Sequence, residues 1–72
     1  MTDTNYKDRL VLLRKSCGYT QKELAEIIGV SRVMYHRYEN DGVIPRNKDV
    51  LNKLASTLEV TPKQLIFGNN LP

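Results

Sequence analysis

Arg32, His36 and Arg37 place two guanidinium groups and one imidazole close together near the middle of this 72-residue chain. On a helix, residues four apart are neighbours, so Arg32 and His36 lie together, and Arg37 projects from the same exposed side towards the same target. An arginine can donate two hydrogen bonds to O6 and N7 of guanine, and a histidine can donate to a base or a phosphate. The same residue types are also typical of an ordinary solvated helix face, so by themselves they leave both interpretations open.

The remaining reactive side chains form no recognisable catalytic set. His36 is the only histidine and Cys17 the only cysteine, which excludes a cluster of His and Cys metal ligands and an internal disulfide. Glu23 and Glu26 are interpreted as capping and solubilising residues, and Cys17 as a small buried apolar residue. No nucleophile–base pair or glycine-rich phosphate loop is present. We therefore expect no enzyme, and no metal, cofactor or small-molecule ligand.

Composition fits one small intracellular domain. The chain carries 11 Lys and Arg residues against 8 Asp and Glu, a net charge of +3 that permits a nucleic-acid partner without requiring one. Its first residues are polar and acidic, unlike a signal peptide. No apolar run approaches the roughly 20 residues that span a bilayer. We expect a cytoplasmic protein that does not enter a membrane.

Start and stop signals divide the chain into five short helices. Thr20 and Glu23 have the spacing of a capping box, and Ser31 can cap the next helix. Thr61 precedes a proline at the first position of the last helix. The pattern predicts an all-α fold, a compact five-helix bundle with one domain at 6–67 and flexible termini at 1–5 and 68–72. The predicted helices cover about 6–17, 21–28, 32–39 and 48–58, with a short fifth starting after Thr61.

Residues 20–40 contain two of these helices, joined by a tight turn at Gly29, where glycine allows a positive φ. This segment and its flanks resemble the helix-turn-helix family of Cro and the lambda-type phage repressors (XRE type). The resemblance implies a lambda-repressor-like fold in which helices 2 and 3 form the helix-turn-helix. The features that carry it are Leu-x-x-Leu-Arg at 10–14, Thr-Gln-x-x-Leu-Ala at 20–25, Gly-Val-Ser at 29–31, Tyr-Glu-Asn at 38–40, and Leu-Ala-x-x-Leu-x-Val-x-x-x-x-Leu at 54–65.

The resemblance, taken with the geometry of the major groove, implies roles for single residues. The first part of the third helix would meet base edges, and the second helix would cross the sugar–phosphate backbone. Val33 could contact a thymine methyl group, whereas His36 could equally be a solvated surface residue. The expected base contacts are Arg32, Val33, His36 and Arg37, and the expected DNA backbone contacts are Gln21, Ser31, Met34, Asn40, Arg46 and Lys48.

Two further features follow from the comparison with the family. Arg14 and Glu39 match a pair that links the first and third helices, so we expect a partly buried ion pair. Tyr35 stands where the family usually has a smaller aliphatic residue. Asp41 intervenes where a glycine commonly follows Asn40, and an acidic group at that point is unfavourable close to DNA.

The function implied is sequence-specific binding of double-stranded DNA by a transcriptional regulator, a repressor of the Cro or phage-repressor type. Such a chain would bind a near-palindromic operator as a homodimer, with its recognition helices about 34–36 Å apart. Dimer contacts would come from helices 4 and 5 and the C-terminal tail, where Leu65, Ile66 and Phe67 either close the core or form the dimer face. The alternative is an antitoxin-like module that binds a protein partner, with DNA binding secondary.

Overall fold

Five helices and no strand make up the regular structure of residues 5–68, the part of the chain that the computed structural model describes. The all-α prediction is confirmed. The third helix ends one residue later than predicted and the fourth one residue earlier. Asn5 and Gly68, which sequence analysis placed in the termini, cap the first and last helices. The rest of both predicted flexible termini lies outside the described residues. The helices are α1 (Tyr6–Cys17), α2 (Gln21–Ile28), α3 (Arg32–Asn40), α4 (Lys48–Thr57) and α5 (Pro62–Phe67).

Side-chain caps set the starts of the helices. In α2 the hydroxyl of Thr20 accepts from the Glu23 amide at 3.0 Å, and the Glu23 carboxylate accepts from the Thr20 amide at 2.8 Å. Ser31 Oγ accepts from the Met34 amide at 3.0 Å and so begins α3. Asn47 caps α4, whose start at Lys48 was predicted although its capping residue was not. Since each cap satisfies amides that have no partner inside the helix, these starts are fixed locally.

Three of the helix ends use glycine in the left-handed conformation, and a fourth does the same without glycine. Gly18, Gly29 and Gly68 follow α1, α2 and α5 with φ of 82°, 79° and 71°. After α4 the equivalent position is Glu59, with φ of 64°. The amide of Val60 donates to the Ala55 carbonyl at 2.9 Å, which completes the same hydrogen-bonded end motif. A side chain in this conformation is strained, so Glu59 stores energy that a glycine would not.

The core lies where α2 meets α3 and α4, and where α1 meets α3 and α5. Tyr35 is fully buried and packs edge-to-face on Tyr38, with ring centroids 5.8 Å apart. The larger residue at position 35 is thus accommodated inside the bundle. The buried apolar residues are Leu10, Leu24, Ala25, Ile28, Tyr35, Tyr38, Leu54, Ala55, Leu58 and Leu65.

Arg9 of α1 is buried at the end of α5, a position that sequence analysis did not single out. Its Nε donates to the Leu65 carbonyl at 2.9 Å, and one terminal nitrogen donates to the Ile66 carbonyl at 2.6 Å. The last carbonyls of a helix lack intrahelical partners, and a cation satisfies them well. Arg9 therefore fastens α5 to α1.

The apolar end of α5 is divided between core and surface. Leu65 is fully buried, whereas Phe67 is 64% exposed. Leu65 thus closes the core, and Phe67 is left available for other contacts. Within residues 5–68 no helix is both long enough and apolar enough to cross a membrane.

Candidate nucleic-acid interface

Helix α3 has one buried face and one exposed face, and its packing decides which residues can meet a ligand. Tyr35, Tyr38 and Glu39 face the core. The other residues of the helix are exposed, and Val33 reaches 74% exposure. Because residues four apart are neighbours on a helix, the exposed side chains form two parallel rows. The rows are Arg32, His36 and Asn40, and Val33, Arg37 and Asp41.

Three of the four residues expected to contact bases lie around one groove. Arg32, Val33 and His36 line a surface groove of about 270 Å³ together with Gln21 at the start of α2. The groove therefore combines hydrogen-bond donors, an exposed apolar side chain and the first residue of a helix. These are the groups that base edges, a thymine methyl and a phosphate require.

Arg37 lies apart from that group and lines a second groove. Its partners there are Met34, Arg46 and the apolar loop between α3 and α4, and the groove measures about 400 Å³. The other wall residues are Tyr38, Val43, Ile44 and Pro45. The structure thus divides the expected base contacts between two neighbouring grooves, three in the first and Arg37 in the second.

The last turn of α3 holds two of these donors in hydrogen bonds along the helix. The Asn40 side-chain nitrogen Nδ2 lies 2.9 Å from His36 Nε2, within hydrogen-bonding distance. Nε of Arg37 lies 3.4 Å from the Asp41 carboxylate. Both His36 and Arg37 are exposed, so either side chain can exchange its partner for a ligand. Sequence analysis did not foresee the Arg37–Asp41 contact, although their spacing of four residues is the signal for it.

Glu39 joins the first three helices at the inner edge of the interface. Its carboxylate accepts from Arg14 Nε at 2.6 Å, from the Tyr35 hydroxyl at 2.6 Å and from Gln21 Nε2 at 2.8 Å. The structure thus brings Arg14 and Glu39 together as an ion pair, with side chains 12% and 3% exposed. The bond from Gln21 leaves its second amide hydrogen able to donate to a phosphate. Glu39 thereby fixes the position of Gln21.

The charges of this network stabilise each other. Burial alone would raise the pKa of Glu39, but the hydrogen bonds from Arg14, Tyr35 and Gln21 outweigh it, so the pKa of this carboxyl lies below its ordinary value. The hydrogen bond to Glu39 raises the pKa of Arg14. Burial, with the hydrogen bond to Glu39, raises the pKa of Tyr35. The network therefore consists of a carboxylate, a guanidinium and a neutral phenol at physiological pH.

The remaining expected backbone contacts surround the two grooves. Ser31 caps α3, Asn40 ends it, and Arg46 and Lys48 are exposed beyond it. Between residues 31 and 48, Asp41 is the one exposed acidic residue, since Glu39 is buried against Arg14. The basic residues of the same stretch are Arg32, Arg37, Arg46 and Lys48. The face is therefore positive, as a surface that meets phosphates must be. Elsewhere in the described residues, no three His, Cys, Asp or Glu side chains are grouped closely enough to hold a metal ion.

Comparison with known proteins assigns the arrangement to a family. The helix-turn-helix family model matches residues 10–65, most of the chain. The chain belongs to the helix-turn-helix family. Among curated proteins it is 34% identical over 59 residues to the cryptic phage CTXphi transcriptional repressor RstR of Vibrio cholerae serotype O1 (strain ATCC 39315 / El Tor Inaba N16961). It is also 34% identical over 65 residues to the SPbeta prophage-derived uncharacterized HTH-type transcriptional regulator YonR of Bacillus subtilis (strain 168).

These matches cover 82% and 90% of this helix-turn-helix chain but only 52% and 59% of the two relatives. The chain thus spans little more than half the length of the curated relatives it matches. Among solved structures, the P22 c2 repressor in complex with synthetic operator 9T aligns over 93% of this chain and 100% of its own, with a TM-score of 0.82 and 27% identity. The DNA-binding domain of the same repressor in solution aligns over 90% and 84%, with a TM-score of 0.75 and 26% identity. The lambda-repressor-like fold predicted from the sequence is confirmed.

Proposed function

We propose that this chain is a sequence-specific DNA-binding transcriptional regulator, a repressor of the phage type that acts by binding rather than by catalysis. The observation that carries the proposal is the structural similarity to the operator-bound P22 c2 repressor, which covers the whole of that repressor chain. The positive face of α3 provides independent support, because its donors and its exposed Val33 suit the floor of a major groove. A regulator of this kind acts on the bacterial or phage chromosome, so we assign it to the cytoplasm.

In this proposal α3 lies in the major groove and the start of α2 faces the sugar–phosphate backbone. Arg32, Val33 and His36 contact base edges from the first groove, and Arg37 reaches the duplex from the second. Gln21 donates to a phosphate from the position in which Glu39 holds it. The other backbone contacts are assigned to Ser31, Met34, Asn40, Arg46 and Lys48.

We further propose that the chain binds a near-palindromic operator as a homodimer through α4, α5 and the C-terminal tail. Phe67 supports the participation of α5, since this aromatic side chain is 64% exposed and offers a large apolar contact to a second subunit. Two recognition helices related by a two-fold axis would then sit about 34–36 Å apart.

Selection of binding sites from a random duplex library tests the proposal. We expect a two-fold symmetric sequence whose affinity falls steeply with salt, because each phosphate contact releases counterions. Arg32→Ala should relax one symmetric pair of base positions, since a bidentate arginine–guanine contact contributes about 1–3 kcal/mol of discrimination. Lys15→Ala removes the same charge from an exposed position of α1, outside both grooves and the proposed dimer face, and should keep the wild-type preference.

Two results would contradict the proposal. If no sequence is enriched and binding is weak at physiological salt, the fold serves a different partner, and a protein-binding role becomes the better account. If Arg32→Ala and Lys15→Ala weaken binding equally at every base position, Arg32 contributes charge alone and is not a specificity residue.

A further inference from the structure

Arg37 occupies the centre of the exposed face of α3, one turn after Val33. Its guanidinium is nevertheless engaged with Asp41, with Nε 3.4 Å from the carboxylate oxygen. The two side chains are 56% and 58% exposed, so the pair stands in solvent and is not part of the core. Asp41 is also the residue immediately after α3, so its position relative to that helix stays the same when the helix binds a partner.

Asp41 places a negative charge where the rest of the interface is positive. It is the exposed acid among residues 31–48, and its contact with Arg37 offsets the charge of a cation that lines the second groove with Arg46. A guanidinium that contacts guanine or a phosphate must point its N–H groups at that acceptor. To reach such an acceptor, Arg37 must therefore either break its contact with Asp41 or keep that contact and bring the Asp41 carboxylate close to the phosphates.

We propose that Asp41 competes with DNA for Arg37 and so holds the affinity of this interface below the value that its cations would otherwise give. The inference depends on the proposed function, because it assumes that α3 meets a duplex. Asp41 acts here as a tuning residue that modulates the interaction through Arg37. Its carboxylate makes no productive contact with the duplex.

The size of the effect follows from the exposure of the pair. Exposed ion pairs at this helical spacing are weak, so releasing Arg37 should tighten binding by only about 1.5- to 2.5-fold per subunit at low salt. The gain should shrink as salt rises, since screening weakens the Arg37–Asp41 attraction itself.

Asp41→Asn tests the inference with minimal change of shape. The backbone amide of Asp41 donates to the Arg37 carbonyl at 2.8 Å, a contact that asparagine keeps. Glu26→Gln is the matched control, because it removes the same charge from an exposed position of α2 outside both grooves. The probe is the duplex selected with the wild-type protein, titrated at several salt concentrations, with circular dichroism to establish that each variant is folded.

We expect Asp41→Asn to bind more tightly than Glu26→Gln, and we expect this difference to disappear when Arg37 is also changed to Gln. That coupling is specific to competition, since simple repulsion of DNA by Asp41 would survive the loss of Arg37.

Three results would overturn the inference: equal affinities of Asp41→Asn and wild type, weaker binding of Asp41→Asn, or a gain that persists beside Arg37→Gln. Weaker binding would mean that Asp41 contacts the duplex or orients Arg37 productively. In all three the wild-type protein still binds its selected duplex, so the proposed function stands. Failure of the wild-type protein to bind any duplex would instead remove the proposed function and this inference together.

Discussion

Replacing Glu39 with glutamine tests how the first three helices are held together. The Glu39 carboxylate accepts four hydrogen bonds, two from Arg14 and one each from Gln21 and Tyr35. Glutamine has one acceptor oxygen in place of two and presents an NH₂ group to donors. The change also leaves the Arg14 guanidinium, only 12% exposed, without its counter-charge.

The expected loss in free energy of unfolding is large for a chain of this size. Removing one partner of a buried ion pair costs about 3–5 kcal/mol, and the partial exposure of Arg14 places this case near about 3 kcal/mol. A domain of this length has a total free energy of unfolding of roughly 4–11 kcal/mol. Glu39→Gln should therefore lower the urea midpoint strongly and bring the protein close to unfolding at 37 °C.

A double-mutant cycle with Arg14→Met separates the ion pair from other effects. The double variant Arg14→Met with Glu39→Gln leaves no uncompensated charge. Its loss in free energy of unfolding should therefore be smaller than the sum of the two single-variant losses, by about 1.5 kcal/mol or more. Urea denaturation, monitored by circular dichroism, gives the free energy of unfolding of each variant. Additive losses, within about 0.5 kcal/mol, would refute the reasoning, since they would mean that Arg14 and Glu39 stabilise the fold independently.

The same network predicts the acid behaviour of the fold. The pKa of Glu39 is lower in the folded protein than in the unfolded chain. The stability that ionised Glu39 contributes is therefore fully present above the unfolded-state pKa of about 4.3 and is lost as the pH falls through the folded-state pKa. Wild-type stability should fall in this range more steeply than that of Glu39→Gln. Parallel pH profiles of the two proteins would contradict the assignment.

Further substitutions test other features of the fold. Tyr35→Phe should lower the free energy of unfolding by about 1.5–3 kcal/mol, because the Tyr35 hydroxyl donates to the Glu39 carboxylate. Tyr6→Phe should leave the free energy of unfolding unchanged or raise it, because the buried Tyr6 hydroxyl has no partner among the described residues. Glu59→Gly should raise stability by about 0.5–1 kcal/mol by relieving the left-handed backbone, and Glu59→Ala, which keeps the strain, should give no such gain. Phe67→Ser should weaken self-association in sedimentation equilibrium, whereas Leu12→Ser, at similar exposure on α1, should not; equal effects would argue against a dimer face on α5.

The helix starts were predictable because their signals are local. Thr20 with Glu23, and Thr61 with Gln64, satisfy their own helix amides within a span of four residues, so no distant contact is needed to recognise them. The end of α4 was harder, since its left-handed residue is Glu59 and carries no glycine signal. Local chemistry thus predicts most helix boundaries and is less precise where the left-handed residue that ends a helix is not glycine.

The composition of the interface was predictable, but its arrangement was not. Sequence patterning indicated that Arg32, Val33, His36 and Arg37 share the exposed side of α3. It could not indicate that Arg37 lines a separate groove, because that groove is completed by the loop before α4. Arg9 shows the same limit, since its partners lie 56 and 57 residues away along the chain.

The central claim is that α3 and the start of α2 form the surface that meets DNA. Titrating the ¹⁵N-labelled protein with its selected duplex, and following every backbone amide by NMR, tests that claim most directly. The account predicts that the largest changes fall on Gln21 and on residues 31–40. Unchanged amides in both segments, with the largest changes around Leu12 on α1, would contradict it.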